Sequence, residues 1–179
     1  MRSERIFIIG FMFSGKSVHG NNLARAMDRL FVDTDNLLSE REGLSIPEMF
    51  EKHGQKWFRK KEKELLRSFL SVDNVVISTG GGTPIYSDNM DWMLSNGTVL
   101  YLKMNATDVI ERVKNADNVN SRPLLSSIKP ENIEREIIEM LSQRTPIYER
   151  AHITVSGTSF NAVTVKQAIL ATWSTHPIL

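Results

Sequence analysis

An eight-residue motif near the start of the chain limits the fold to architectures that open with a strand, a loop and a helix. Residues 10–17 read GFMFSGKS and fit the pattern G-x-x-x-x-G-K-[ST]. Residues 5–9 before it are short, apolar and rich in isoleucine, which favours a buried strand. After it, apolar side chains recur at helical spacing at Leu23, Ala24 and Met27. The sequence therefore predicts a strand–loop–helix unit around a phosphate loop.

The chemistry of such a loop predicts a nucleoside triphosphate site. Its backbone N–H groups and the N-terminus of the following helix offer donors and a positive dipole end to a polyphosphate. Lys16 is expected to reach the β- and γ-phosphates, and the Ser17 hydroxyl to bind Mg²⁺. The residues predicted to contact the phosphates are Gly10, Ser14, Gly15, Lys16, Ser17 and Val18.

Strand candidates alternate with helix candidates along the rest of the chain. The predicted strands are residues 5–10, 30–33, 75–78, 98–102 and 152–155. The predicted helices are residues 16–29, 36–70 with interruptions near Gly43 and Gly54, 88–95, 107–115, 130–144 and 162–173. Alternation of this kind predicts an α/β three-layer sandwich, in which helices cover both faces of a central five-stranded parallel sheet.

Two of the predicted strands end in residues suited to ligand binding. Asp33 and Asp35 flank Thr34 after the second strand, and three consecutive glycines, Gly80, Gly81 and Gly82, follow the third. Ligands of open parallel sheets bind outside the carboxyl ends of the strands. These residues are therefore expected to face the same crevice as the phosphate loop.

The composition excludes several other classes of function. The net charge is +1, which gives no electrostatic basis for binding nucleic acid or a membrane surface. The chain has no cysteine, which excludes disulfides, thiolate metal sites and cysteine nucleophiles. The length of 179 residues fits one domain. We expect a cytoplasmic monomer that binds small molecules, with neither nucleic acid nor membrane as a partner.

The ordered set of motifs resembles the shikimate kinase family over nearly the whole chain. The motifs are the phosphate loop, Asp33-Thr34-Asp35, Phe58-Arg59, Gly80-Gly81-Gly82, Arg122-Pro123-Leu124-Leu125 and Arg144-Thr145-Pro146-Ile147-Tyr148. The resemblance implies a P-loop NTPase fold similar to that of the nucleoside monophosphate kinases. It also implies a single kinase domain over residues 1–179, with a substrate-binding helical insertion at about 33–62 and a lid at about 113–126.

The resemblance further implies ATP-dependent phosphorylation of shikimate at its 3-hydroxyl, with Mg²⁺ as the cofactor. Lys16, Asp35 and Arg122 would be the catalytic residues, Asp35 as the candidate general base and Arg122 as a lid arginine for the transferring phosphoryl group. The other implied contacts are Asp33 with Ser17 for the metal, Arg112 with Arg122 for the nucleotide, and Asp35, Arg59, Gly80, Gly81, Gly82 and Arg144 for shikimate.

Four of these side chains also have an ordinary structural interpretation. Asp35 fits a helix N-cap, and Arg144 fits the C-terminus of a helix that ends before Pro146. Arg59 lies among lysines on what reads as a solvated helix face, and Arg112 fits a surface salt bridge.

Two positions depart from the family pattern. Phe13 stands where shikimate kinases usually carry glycine, and Val18 where they commonly carry threonine. Because a phenylalanine adopts positive φ only at a cost, the loop is expected to be altered or strained at Phe13. The alternative is that Phe13 packs under the loop with an ordinary backbone conformation. Two rival functions remain open at this point: a related small-molecule or nucleoside monophosphate kinase, and a catalytically impaired kinase-like binding protein.

Overall fold

The computed structural model describes residues 5–116, 125 and 128–174. The strands are β1 (Arg5–Ile9), β2 (Leu30–Asp33), β3 (Val75–Ser78), β4 (Thr98–Lys103) and β5 (Ile153–Ser156). The helices are α1 (Lys16–Met27), α2 (Thr34–Glu42), α3 (Ile46–Ser68), α4 (Asn89–Asn96), α5 (Ala106–Lys114), α6 (Ile133–Tyr148) and α7 (Ala162–Ser174). Short 3₁₀ turns occupy Phe69–Ser71, Thr83–Ile85 and Pro130–Asn132.

The strands form one five-stranded sheet in the order β2-β3-β1-β4-β5, with every neighbouring pair parallel. The predicted α/β fold and parallel sheet are therefore confirmed. β1 is central, and its Ile8 is paired with Ser78 of β3 and Leu100 of β4. Because β2, β3 and β1 are adjacent, their carboxyl ends bring the acidic pair, the glycine triplet and the phosphate loop to one edge of the sheet.

Helices cover both faces of this sheet. Successive side chains of a strand point to opposite faces, so Phe7 and Ile9 belong to one hydrophobic cluster, and Ile6 and Ile8 to the other. The smaller cluster packs the sheet against α1 and α7, while the larger one includes buried residues of α2 to α6. None of the helices in the described part of the chain is long and apolar enough to cross a membrane.

The long helical segment between β2 and β3 is divided by two glycines, as the sequence predicts. α2 ends at Gly43, which has φ 67°, and α3 changes direction at Gly54, which has φ 78°. Both values lie in the left-handed region that glycine adopts without steric cost. α3 begins with a capping box, in which Ser45 and Glu48 bond each other's backbone N–H groups.

Candidate active site

The phosphate loop lines a cavity of about 280 Å³ at the carboxyl end of β1, here called the donor cavity. Seven of the predicted site residues line it, namely Gly15, Lys16, Ser17, Val18, Asp33, Asp35 and Gly81. Gly10 and Ser14 are not among its lining residues, and Ser14 is fully buried. A Cβ on Gly10 would lie 2.7 Å from the carbonyl oxygen of Leu102, so only glycine fits where the loop leaves the sheet.

Lys16 lies inside the curve of the phosphate loop. Its Nζ donates a hydrogen bond to the carbonyl oxygen of Phe11, 2.8 Å away. The ammonium group is therefore held next to the loop backbone, within the donor cavity. To reach a phosphate, it has to exchange this carbonyl for a phosphate oxygen.

Asp33 connects the phosphate loop to the start of α2. Its Oδ2 accepts a hydrogen bond from the Ser17 hydroxyl at 2.5 Å, and its Oδ1 accepts the backbone N–H groups of Asp35 and Asn36. Asp33 is thus the N-cap of α2, and Asp35 lies in the first turn of the helix. The N-cap interpretation of Asp35 is therefore wrong, because the residue two positions earlier satisfies the free N–H groups.

Ser17 and Asp33 provide oxygen atoms of the kind that Mg²⁺ prefers. Mg²⁺ usually keeps several waters and binds one or two carboxylates together with substrate phosphates. Within residues 5–116, 125 and 128–174 there is no group of three or more His, Cys, Asp or Glu side chains that could hold a metal ion. The residues present therefore fit an ion that is bound mainly through water and phosphate.

A second cavity, the acceptor cavity, lies beside the first and has a volume of about 70 Å³. It is lined by all six residues that the resemblance implies for shikimate: Asp35, Arg59, Gly80, Gly81, Gly82 and Arg144. Asp35 also lines the donor cavity, so its carboxylate stands between the two. A third cavity of about 460 Å³ shares Arg59, Gly82 and Arg144 with the acceptor cavity. Lys56 lines this outer cavity as well.

Arg59 lies on the buried face of α3 rather than on a solvated one. Its residue is only 9% exposed, and its Nη1 donates to Oε2 of Glu62 in an i,i+3 ion pair. The other carboxylate oxygen of Glu62, Oε1, accepts a hydrogen bond from the Thr83 hydroxyl at 2.6 Å. The charged-face interpretation of Arg59 is therefore wrong, because this turn of the helix packs against the 3₁₀ turn at Thr83–Ile85.

Glu62 and Thr83 are site residues that sequence reasoning missed. The only sequence signal for Glu62 is its position three residues after Arg59, and exposed charges on the same helix, such as Lys60 and Glu64, make that signal weak. Burial raises the pKa of the Glu62 carboxyl, with a smaller contribution from the nearby Asp35 charge. The Arg59 charge and the Thr83 hydroxyl act in the opposite direction.

α6 brings Arg144 to the acceptor cavity, and this helix is longer than predicted. It continues through Pro146 to Tyr148, so the prediction that it ends near Arg144 is wrong, as is the C-cap interpretation of that residue. Pro146 has no N–H for the carbonyl of Ser142, which is an exposed residue. At the end of the helix, Glu149 N donates to the Thr145 carbonyl at 2.9 Å. The Arg144 guanidinium lies 5.3 Å from the centre of the Phe11 ring.

The glycine triplet packs between the two cavities and is held by Tyr148. The Tyr148 hydroxyl donates to the Gly81 carbonyl at 2.5 Å, and burial raises the pKa of this tyrosine to about 12. A Cβ on Gly81 would lie 3.3 Å from the Gly10 carbonyl oxygen, and one on Gly82 would overlap the Arg59 guanidinium. The absence of a side chain therefore lets Arg59 approach Gly82, and a side chain at Gly81 would crowd the phosphate loop.

Phe13 has the unusual backbone conformation expected from the sequence. Its φ is 61°, in the left-handed region, and its side chain is partly buried against the larger hydrophobic cluster. Arg112 of α5 donates from Nη1 to the Phe13 carbonyl at 2.7 Å. The surface salt bridge considered for Arg112 is not found within the described residues. Arg122, predicted as the lid arginine, lies outside them.

A parallel sheet, a phosphate loop at its carboxyl edge and an adjoining acceptor cavity lined by two arginines define a phosphotransferase of the P-loop kinase class. The sequence model of the shikimate kinase family matches residues 12–173. The chain belongs to the shikimate kinase family. The activity that accompanies this membership is the ATP-dependent phosphorylation of shikimate, and the sequence-based expectation of this family and activity is confirmed.

Known relatives and structures are similar over nearly the full length of the chain. The shikimate kinase of Aquifex aeolicus is 40% identical over 167 residues, which cover 93% of this chain and 95% of that protein. The crystal structure of the Bacteroides thetaiotaomicron shikimate kinase has a TM-score of 0.84 at 30% identity, covering 93% of this chain and 98% of the other. The Acinetobacter baumannii enzyme in complex with shikimate has a TM-score of 0.83 at 31% identity, covering 95% and 92%.

Proposed function

We propose that this chain transfers the γ-phosphoryl group of ATP to the 3-hydroxyl of shikimate in a Mg²⁺-dependent reaction. The observation that carries this assignment of the site is the position of Asp35, whose carboxylate lines both the donor and the acceptor cavity. A group at that boundary can contact the acceptor hydroxyl while the hydroxyl faces the γ-phosphate. Phosphoryl transfer needs this in-line positioning more than it needs covalent help from the protein.

On the donor side, the loop backbone and Lys16 would bind the triphosphate. The Lys16 ammonium would leave the Phe11 carbonyl and bind the β- and γ-phosphate oxygens, where it offsets the negative charge of the transition state. Gly10, Ser14, Gly15 and Val18 would contribute backbone contacts. Ser17 and Asp33 would hold Mg²⁺, Asp33 through water, and the metal would supply charge neutralisation for the phosphates.

On the acceptor side, Arg59 and Arg144 would bind the shikimate carboxylate. A guanidinium presents a planar set of N–H donors that matches a carboxylate. The backbone of Gly80, Gly81 and Gly82 would lie against the ring of the acceptor. Asp35 would accept the proton of the 3-hydroxyl while the hydroxyl oxygen forms a bond to the γ-phosphorus. At the same time, the bond from the γ-phosphorus to the bridging oxygen breaks and ADP leaves.

Three further assignments complete the proposal. Arg112 would stack on the adenine ring, and Arg122 would approach the transferring phosphoryl group from a lid at about residues 113–126. The insertion at about 33–62 would bind the acceptor within a single kinase domain. The protein would act as a cytoplasmic monomer on small molecules, without nucleic acid or membrane partners.

A coupled assay of ADP release with and without shikimate tests the proposal. We expect ADP release to require both shikimate and Mg²⁺, and Lys16→Ala to reduce turnover by about 10²- to 10³-fold in a folded protein. Release that does not depend on shikimate would point to another kinase of this class. No release at all would indicate a catalytically impaired binding protein.

A further inference from the structure

The phosphate loop of this chain contains a residue whose backbone conformation is unfavourable for its type. Phe13 has φ 61°, a value that glycine adopts freely and that a bulky side chain adopts only at an energetic cost. Residues in such conformations persist where surrounding contacts hold them. The contacts of Phe13 therefore show what maintains the path of the loop.

Arg112, which lies 99 positions further along the chain, makes a hydrogen bond to the Phe13 backbone. Arg112 lies in the last turn of α5, and its Nη1 donates to the Phe13 carbonyl oxygen at 2.7 Å in a partly buried position. A charged donor makes a stronger hydrogen bond to a carbonyl than a neutral one does. The bond acts on the peptide unit that joins Phe13 to Ser14, immediately before Gly15 and Lys16.

The same guanidinium and the ring of His19 lie beside Gly15. A Cβ on Gly15 would be 3.8 Å from Arg112 Nη1 and 2.9 Å from Cδ2 of the His19 ring. His19 is itself held, because its Nε2 lies 3.3 Å from the Gly157 carbonyl and its ring stacks on Phe160 at 4.4 Å. Burial, and secondarily the Arg112 charge, lower the pKa of His19. Arg112 of α5 and the His19 ring of α1 thus lie beside the segment from Phe13 to Gly15.

We propose that Arg112 is a positioning residue of the phosphate loop, which binds the Phe13 carbonyl and keeps the loop in its left-handed, phosphate-binding path. Arg112 then acts on the triphosphate through the loop, in addition to any contact with the base. This inference rests on the proposed function, since it assumes that the loop binds the phosphates of ATP. It predicts that the importance of Arg112 depends on which residue occupies position 13.

The test measures binding of Mg²⁺-tripolyphosphate, which has no base, and of Mg²⁺-ATP by calorimetry. Arg112→Met is compared with the unaltered residue in two backgrounds, Phe13 and Phe13→Gly. With Phe13 present, we expect the substitution to weaken binding of both ligands by about tenfold or more. In the Phe13→Gly background we expect Arg112→Met to weaken tripolyphosphate binding by less than about threefold. Glycine keeps the left-handed conformation without a supporting hydrogen bond.

Two further variants separate this role from a general loss of structure. Arg112→Lys keeps a charged donor and should restore part of the tripolyphosphate affinity, and it serves as the test variant if Arg112→Met does not fold. Arg135→Met removes an exposed cation of α6 that pairs with Glu136, away from the phosphate loop and the lid, and it should leave both affinities unchanged.

Two results would overturn the inference. One is an equal loss of tripolyphosphate binding in both backgrounds, and the other is a loss confined to ATP. Either result would leave the proposed function standing if the wild-type protein still phosphorylates shikimate. Failure of that phosphorylation, with the background dependence intact, would contradict the proposed function and not the role of Arg112.

Discussion

Arg59 and Arg144 reach the acceptor cavity from different helices, and their neighbours differ in kind. Arg59 is buried and ion-paired with Glu62, whereas Arg144 lies near the Phe11 ring and the sulfur of Met140. Arg59 therefore has a carboxylate that fixes its orientation before any ligand binds. Arg144 also interacts with the Tyr148 side chain but has no carboxylate partner among the described residues, so it is expected to adjust more when an anionic acceptor enters.

Replacing either arginine by lysine should affect the acceptor far more than the nucleotide. We expect Arg59→Lys and Arg144→Lys to raise KM for shikimate by about 10- to 100-fold, because an ammonium cannot form the paired hydrogen bonds of a guanidinium. KM for ATP should change little. Arg150→Lys, at an exposed arginine paired with Asp91, is the matched control. Equal effects on both substrates would show that the two arginines act on the fold.

A substitution at Asp35 distinguishes the acceptor function of the site from its nucleotide-binding function. Asp35→Asn keeps the size of the side chain and removes its negative charge and basicity. We expect kcat to fall by about 10²- to 10⁴-fold while ATP affinity stays nearly unchanged. Asp33→Asn is the comparison, since Asp33 bonds Ser17 and should change the Mg²⁺ and ATP dependence instead. Loss of ATP affinity in Asp35→Asn would assign Asp35 to the metal site.

The inner face of α3 shows how one helix prepares the acceptor cavity. Arg59 and Glu62 are both buried on it, while Lys60 and Glu64 on the opposite side form an exposed pair. Glu62 also binds the Thr83 hydroxyl, which connects α3 to the segment that follows the glycine triplet. An ionised Glu62 carboxylate orients Arg59, but burial away from water makes the ionised form unfavourable.

This opposition predicts a pH-dependent difference in stability between the wild type and Glu62→Gln. A carboxyl whose pKa is raised by burial contributes stability at low pH that is lost as the pH rises through its folded-state value. Glutamine does not titrate. The free energy of unfolding of Glu62→Gln minus that of the wild type should therefore increase from pH 4 to pH 7.

Denaturant titrations across this pH range provide the measurement, and Glu64→Gln is the matched control because Glu64 is exposed on the same helix. The difference between the two variants isolates the effect of burying the carboxylate at position 62. Despite its stability, Glu62→Gln should have a higher KM for shikimate, since Arg59 loses a charged partner. A relative stability that declines towards pH 7 would mean that attraction to Arg59 outweighs burial.

Elements with strong local signals could be predicted from the sequence, and those that depend on tertiary contacts could not. The strands, the phosphate loop and the breaks at Gly43 and Gly54 follow from local pattern and from glycine geometry. The continuation of α6 past Pro146 does not. It depends on the burial of Tyr148 and on its bond to Gly81, which lies 67 positions away. Local sequence rules account for the missing N–H of proline but not for the hydrogen bond between Tyr148 and the distant Gly81.

The candidate site shows the same division. Motif residues such as Asp35 and Arg59 could be named from the sequence because the motifs that contain them resemble those of the shikimate kinase family. Glu62 could not, because its carboxylate differs from that of Glu64 only in being buried, and burial is a property of the folded chain. The roles of all these residues in catalysis stay predictions until the variants are measured.

The order of strands in the sheet makes donor and acceptor sites parts of one cooperative structure. The larger hydrophobic cluster joins Phe7 of the central strand to Leu38 of α2, Phe58 of α3 and Leu125. The helical insertion therefore shares its core with the sheet that carries the phosphate loop. Binding of either substrate should stabilise the whole molecule rather than one part of it.

Thermal unfolding should consequently show one transition that either substrate shifts. At a concentration 100 times its Kd, Mg²⁺-ATP should add about 2.7 kcal/mol to the free energy of unfolding. For a chain of this length that corresponds to a rise in Tm of roughly 5 to 11 °C. We expect chelation of Mg²⁺ to reduce the shift produced by ATP and to leave the shift produced by shikimate intact.

Two variants assign the shifts to their sites. Lys16→Ala should lose the shift with ATP and keep the one with shikimate, because the phosphates bind in the donor cavity that Lys16 lines. Arg59→Lys should lose the shift with shikimate and keep the shift with ATP, because Arg59 lines the acceptor cavity. Two separate transitions, with only one of them moved by ATP, would contradict a single kinase domain. A single transition that both substrates move would support it, because ligands that bind only the native state displace the unfolding of every element that folds with their sites.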